Sequence, residues 1–218
     1  MKIALVIPTM DRGGAEKQVV LLAKGLHESG HDVRVFLLTR DGHRSEELRA
    51  AGVPVVVIGK RFKVDPTALF RLKKQLVDFA PDVVHTWLFA ANSFGRVAAK
   101  WAGVPVIIAS ERCVDPWKKS WHFQIDRRLQ KISQAITTNS SGVLDFYAAN
   151  GLDPEQFVVI PNGVESVESA VSQAIDREEA FRRLDIPAGR RLIVAVGRLW
   201  PQKRVRDLIW AGELLATA

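Results

Sequence analysis

The chain lacks most of the features that would assign a function at sight. It has one cysteine, Cys113, in 218 residues, so no internal disulfide can form and no thiolate cluster can hold a metal. No apolar run approaches the roughly 18 residues that a bilayer span requires. The opening MKIALVIPTM holds only a short apolar stretch, and Pro8, Asp11 and Arg12 stand where a secretory signal would place small residues. That start reads as the buried first strand of a cytoplasmic protein. There is no GxxxxGK[ST], which argues against a P-loop nucleotidase, and no GxGxxG fingerprint. Internal repeats and low-complexity tracts are also missing.

What is present is ordinary in bulk and biased in charge. Hydrophobic residues make up 47% and charged residues 25%, as in soluble globular proteins, and the length allows one full domain and the beginning of a second. The formal net charge is +7 and the pI near 9.8. An excess of that size calls for an anionic partner, for which nucleoside diphosphates, acidic lipid headgroups and nucleic acids all qualify.

Short, β-branched apolar runs recur at Ile3–Ile7, Val33–Leu38, Val53–Ile58, Val83–Val84, Val104–Ile108, Ala135–Thr138 and Val158–Ile160. Near-continuous apolarity predicts strands covered on both faces, as in parallel sheets. Between them the spacing predicts helices: Val19, Leu22, Ala23 and Leu26 fall on one stripe, as do Leu69, Leu72, Leu76 and Phe79. Gly30, Gly52 and Gly103 sit where helices would end and hand over to strands. The alternation predicts an α/β, Rossmann-like doubly wound parallel sheet over residues 1–164. Pro161-Asn162-Gly163 is a turn signal, and 165–189, with little apolar pattern, reads as a linker. In 190–218, Leu192–Val196 reads as a new strand and Val205–Leu215 as a helix, the start of a truncated second domain.

Two strand-to-helix junctions carry the chemistry. Gly13-Gly14 precede the first helix, where close backbone approach, free amides and the helix dipole suit phosphate oxygens. Tight turns also use glycine for steric reasons, so this signal is weak alone. Gly197-Arg198-Leu199, followed by Gln202-Lys203-Arg204, is sharper. Arg198 can bind a phosphate in bidentate fashion and Lys203 can act as a point charge on a departing diphosphate.

With these residues in view, the chain resembles a retaining glycosyltransferase of family 4, a GT-B enzyme. The resemblance rests on GGAE at 13–16, GLHESGHDVRV at 25–35, PDVVHTW at 81–87, IPNGVE at 160–165 and VGRLWPQKR at 196–204. It implies two Rossmann-like domains facing across a cleft, the first holding the acceptor and the second a nucleoside diphosphate sugar, with no metal and no cofactor. It further implies that Arg198 and Lys203 grip the donor diphosphate and that Gly13, Gly14 and Gly197 belong to the donor site. His85 matches the first histidine of a family His-x-His pattern, with Trp87 in place of the second, and is expected at the end of a strand and so at the cleft edge. Ser110-Glu111-Arg112 is expected as a loop after the fifth strand, similar to a subgroup that extends glycans on polyprenyl diphosphate. Arg112 would bind acceptor phosphate or a sugar hydroxyl. Asn139 joins the acceptor side, although Ser140 or Ser141 beside it has a simpler use as a helix N-cap. The family's paired-glutamate motif is missing from the 218 residues, so this chain is expected to be inactive alone, whatever the activity of the parent hexosyl- or acetylhexosaminyltransferase.

Three rival readings accompany this one. RCVDPWKKSWHFQIDRRLQK at 112–131 and KRFKVDPTALFRLKK at 60–74 mix aromatics with cations, which suits peripheral docking on an anionic membrane and a lipid-linked acceptor. A nucleic-acid module would share the basic pI, but no nucleic-acid motif supports it. An epimerase of nucleotide sugars would share the architecture and need acid and base groups in the cleft.

Overall fold

The computed structural model describes residues 1–164, 175–187, 189–197, 199 and 203–217. By its contacts the chain divides into two compact units, Met1–Val164 and Glu165–Ala218.

In the first unit seven parallel strands form one sheet: β1 (Lys2–Ile7), β2 (Asp32–Leu37), β3 (Val55–Val57), β4 (Val83–Trp87), β5 (Val106–Glu111), β6 (Ala135–Thr138) and β7 (Phe157–Val159). Their order is β3-β2-β1-β4-β5-β6-β7, the doubly wound arrangement expected. Right-handed crossovers divide the helices between the faces. Helices α1 (Gly14–Glu28) and α2 (Ser45–Ala50) lie on one face; α3 (Pro66–Phe79), α4 (Leu88–Trp101), α5 (Ser120–Gln130) and α6 (Ser141–Ala149) lie on the other.

Strand alternation builds two cores from one strand. Ile3, Leu5 and Ile7 pack with Val19, Val20 and Ala23 of α1, whereas Ala4 and Val6 pack with Leu72 and Leu76 of α3 and Ala91 and Ala98 of α4. Each fully buried Leu or Val contributes about 1.5–3 kcal/mol. Helix α4 lies close on β4 because residue 95 is glycine: a Cβ there would stand 2.5 Å from Thr86 Cγ2. Gly30, Gly52 and Gly103 take left-handed φ of 85°, 77° and 73°, the backbone a helix-ending glycine supplies.

Several boundaries differ from expectation. The third strand is only Val55–Val57, since Pro54 has no amide to give to a ladder. The fifth starts two residues later than expected and runs on through Ser110 and Glu111, because Thr137 and Thr138 of β6 continue as its partners. Ser110 and Glu111 are therefore strand residues, and only Arg112 opens the loop. The last strand is Phe157–Val159, although the Ile160 amide still donates to Thr138 O at 2.7 Å.

In the second unit the stretch read as linker contains helix α7 (Arg177–Arg183), capped by the Asp176 carboxylate, which accepts from Glu179 N at 2.7 Å. Leu192–Val196, expected as a strand, pairs with no strand among the described residues. An apolar run without a ladder partner cannot become a strand. Helix α8 (Val205–Thr217) forms where the spacing predicts one. Among the described residues no helix is long and apolar enough to cross a membrane.

Candidate functional site

The order of strands reverses between β1 and β4, and in open parallel sheets ligands bind at the carboxyl ends beside such a switch point. The loop after β1 is fixed by Asp11, which accepts from Arg40 Nη1 at 3.0 Å and Nη2 at 2.6 Å. It ends at Gly13, the N-cap of α1, whose extended φ of −142° any residue could adopt. Its nearest neighbour is the end of a flexible side chain. A Cβ on Gly13 would lie 2.0 Å from the Glu16 carboxylate, whereas the space beside Gly14 is open. A phosphate approaching Gly13 would meet the Glu16 carboxylate first.

His85 is not at the strand end. It is the third of five residues in β4, between Leu5 of β1 and Ile108 of β5, and the residue that reaches the edge is Trp87. His85 Nε2 lies 2.8 Å from Ser110 Oγ and 3.4 Å from Thr137 Oγ1, and those two hydroxyls are 2.5 Å apart. Burial, with the nearby Arg112 cation, lowers the imidazole pKa to about 3. His85 is therefore neutral at physiological pH, a hydrogen-bonding group rather than an acid.

Arg112 sits above it, its guanidinium 5.0 Å from the centre of the Trp87 ring and hydrogen-bonded to Asn162 Oδ1. Trp87 is placed by an abrupt turn: Leu88, which opens α4, has a left-handed φ of 68°, a costly backbone for a residue with a Cβ. At the strand ends Trp87 Nε1 on the α1 face, Thr138 Oγ1 on the opposite face and Asn139 Oδ1 just after β6 are buried and make no hydrogen bond among the described residues. Unsatisfied donors and acceptors at strand ends point to a polar ligand or bound water. Ser140, beside Asn139, is the N-cap of α6, so the simpler use holds for that residue.

Below Arg112 a groove of about 540 Å³ runs between α1 and the sheet. Leu21, Leu22 and Leu26 form its helical wall and Ile3, Leu5 and Ile108 its floor; His85, Thr137, Arg112 and Gln18 are polar groups along it. The segment after β7 crosses back to α1, where Gln18 and Gly163 exchange two hydrogen bonds of 2.8 Å. That tie also places Asn162 against Arg112.

On the other face of β5 lies a buried charge network that the residue patterns did not disclose. Glu111 accepts from Asn92 Nδ2 at 2.9 Å and from the Tyr147 hydroxyl at 2.7 Å. Lys118 Nζ donates to Tyr147 Oη at 2.7 Å and to Asp126 Oδ2 at 3.0 Å, and Arg96 reaches Asp126 Oδ1 at 3.1 Å. Burial raises the pKa of Glu111 against the opposing pull of Lys118. The network joins α4, α5 and α6 to the two ends of the loop that bears Arg112. One signal for it was legible: Arg96 sits among the apolar positions of α4, where an unpaired cation would be prohibitive. Cys113, in the same loop, is no nucleophile, because burial and Asp115 push its pKa up to about 12.

In the second unit Lys203 is exposed, its Cγ 3.8 Å from where a Cβ on Gly197 would stand. Arg198 and Gln202 lie outside the described residues.

A family model described as "Glycosyltransferase Family 4" matches residues 12–167. The chain belongs to glycosyltransferase family 4. Relatives of this family-4 chain include D-inositol 3-phosphate glycosyltransferase of Acidothermus cellulolyticus, 26% identical over 88% of the chain and 48% of that protein. Another is the Escherichia coli UDP-Gal:alpha-D-GlcNAc-diphosphoundecaprenol alpha-1,3-galactosyltransferase, 28% identical over 72% of the chain and 42% of that protein. The chain thus spans about half the length of the curated relatives it matches. Among solved structures, Anabaena Alr3699/HepE in complex with UDP superposes with a TM-score of 0.68 at 18% identity, covering 85% of the chain and 50% of that protein. A UDP-GlcNAc 2-epimerase from Methanocaldococcus jannaschii superposes at 0.53 and 14% identity, covering 74% of the chain and 46% of that protein. At such identities the likeness is one of fold, which transferase and epimerase share. The family model that matches is one of glycosyltransferases.

Proposed function

We propose that the protein transfers a sugar, hexosyl or acetylhexosaminyl, from a nucleoside diphosphate sugar to an acceptor with retention of anomeric configuration. The bond from the anomeric carbon to the diphosphate oxygen breaks, the acceptor hydroxyl oxygen takes its place on the same face, and the hydroxyl proton passes to the departing diphosphate oxygen. Arg198 and Lys203 neutralise the leaving diphosphate, next to Gly197, with Gly13 and Gly14 as further donor-site residues. Arg112 and Asn139 hold the acceptor, and the neutral His85 supports them through Ser110 and Thr137. The acceptor is a glycan or a lipid-linked oligosaccharide of the cell envelope, and the work is done in the cytoplasm at the inner face of the membrane.

The observation that carries this reading is the guanidinium of Arg112, stacked on Trp87, whose buried indole N–H has no partner among the described residues, at the carboxyl edge of a family-4 sheet. A stacked, half-buried arginine is preorganised for phosphate or sugar hydroxyls. On this reading the 218 residues hold the acceptor half of a site and turn over no donor alone. In a protein of the relatives' full length, Lys203→Ala should lower kcat by about a hundredfold or more; turnover near the parent rate refutes the role given to Lys203.

A further inference from the structure

Two loops at the carboxyl edge of the sheet expose more apolar surface than solvent favours. Residues 59–65 lead from β3 into α3 and leave Phe62 70% and Val64 81% exposed. Residues 112–119 lead from β5 into α5; Val114 is exposed there, Trp117 is 55% exposed, and Trp121 in the first turn of α5 is 53% exposed. Both loops precede helices on the same face of the sheet, and the first turns of α4 stand between them. On one side Lys60 Nζ lies 5.0 Å from the Phe94 ring. On the other, Phe89 meets Trp117 edge-on at 5.7 Å and Trp121 at 6.5 Å.

The charges of these loops are sorted by sign. Lys60 is half-buried, and Arg61, Lys63 and Lys119 face solvent. The carboxylates turn inward: Asp65 is buried, accepting from Arg61 N and Ala68 N at 3.0 Å each, and Asp115 accepts from Trp117 Nε1 and Cys113 Sγ at 3.0 Å, with the Tyr147 oxygen 3.2 Å away. The second loop is also held at both ends, since Glu111 and Lys118 are buried with Nζ 3.5 Å from Oε2. Its indole is presented in one orientation by a closed loop.

We propose that this edge is a membrane-docking surface. Phe62, Val64, Val114, Trp117 and Trp121 enter the headgroup layer of an anionic bilayer, and Lys60, Arg61, Lys63 and Lys119 pair with lipid phosphates. Exposed indole rings favour that layer, where their large apolar faces leave water, and each nearby cation adds to the attraction. Arg112 is at the root of the same loop, so docking brings the residue assigned to the acceptor close to the lipid headgroups. The inference rests on the reading of peripheral attachment and makes it specific; the transfer chemistry is independent of it.

Co-sedimentation of the 218-residue chain with vesicles of phosphatidylglycerol and phosphatidylcholine, against phosphatidylcholine alone, tests the surface. Anionic vesicles should bind the chain, and Trp117→Ala with Trp121→Ala should weaken binding by about tenfold or more. Arg61→Gln with Lys63→Gln should weaken it by a similar factor, while Arg128→Gln with Lys131→Gln, in the last turn and C-cap of α5, should change it by less than about threefold. Brominated lipids should quench the tryptophan emission of the unaltered chain, a readout that needs no variant. Binding that responds only to the α5 pair, without quenching, overturns this surface and leaves peripheral attachment standing. No vesicle binding at all overturns both. An oligonucleotide that binds more tightly than the vesicles, with the tryptophans irrelevant, assigns the cations to nucleic acid and overturns the proposal.

Discussion

KIALVI at 2–7 and RLIVAV at 191–196 are close to interchangeable by composition, each a cation followed by five apolar residues. Their surroundings differ completely. The first is β1, hydrogen-bonded to β2 and β4 on its two sides, with Ala4, Leu5, Val6 and Ile7 shut away from solvent. The second pairs with no described strand, and Ile193 is 76% and Val196 95% exposed. The contrast shows that apolarity states what a segment needs, while the availability of neighbouring strands decides whether it becomes a strand.

Three measurements would break or sharpen the contrast. The largest effect is expected in amide hydrogen exchange. The β1 amides should open only with global unfolding, about 5–15 kcal/mol for a domain of this kind, whereas those of 192–196 should exchange with almost no protection. Slow exchange across 192–196 would erase the distinction. Next comes Asp126→Ala, which leaves Arg96 and Lys118 buried without their shared carboxylate. It should lower the first unit's unfolding free energy by about 3–5 kcal/mol in urea titration, whereas Asp207→Ala, at the exposed Arg204–Asp207 pair of the second unit, should stay within about 0.5 kcal/mol. Equal effects would show that burial of the network contributes nothing.

The last test is a pH dependence, which is absent at neutral pH and develops only in acid. His85 titrates near 3 when folded and near 6.5 when not, so between these values the unfolded chain holds the extra proton and stability rises with pH. The stability of the parent relative to His85→Gln should therefore fall as pH drops from about 6.5 toward 3 and be flat above that window. A difference that is level throughout would mean that the imidazole is not shielded from water.

The sheet and most of its helices were legible because parallel strands, covered on both faces, leave nearly unbroken apolar runs, and the α1 and α3 stripes are regular. The site was legible in part. Arg112 and His85 announce themselves by residue type, but the depth of His85 along β4 depends on register, which a five-residue strand does not disclose. Glu111, Lys118, Asp126 and Tyr147 were missed because they are scattered over 111–147 and meet only when α5 and α6 fold over β5. Leu88 was missed because a left-handed leucine has no signature in a sequence. Gly13 was read as a place for close backbone approach, and what stands nearest to it is the end of the flexible Glu16 side chain, three residues on.

The alternation at Ser110, Glu111 and Arg112 makes this stretch a matter of parity. Ser110 bonds to His85 on the α1 side, Glu111 to Asn92 and Tyr147 on the opposite side, and Arg112 returns to Trp87 on the first. Losing or gaining a single residue here would send a carboxylate into the apolar groove and a guanidinium toward Lys118 and Arg96. The stretch can therefore accept substitution more readily than a change of length by an odd number, and a homologue with an odd-numbered gap at this point should have lost the arginine over Trp87 and the buried network together.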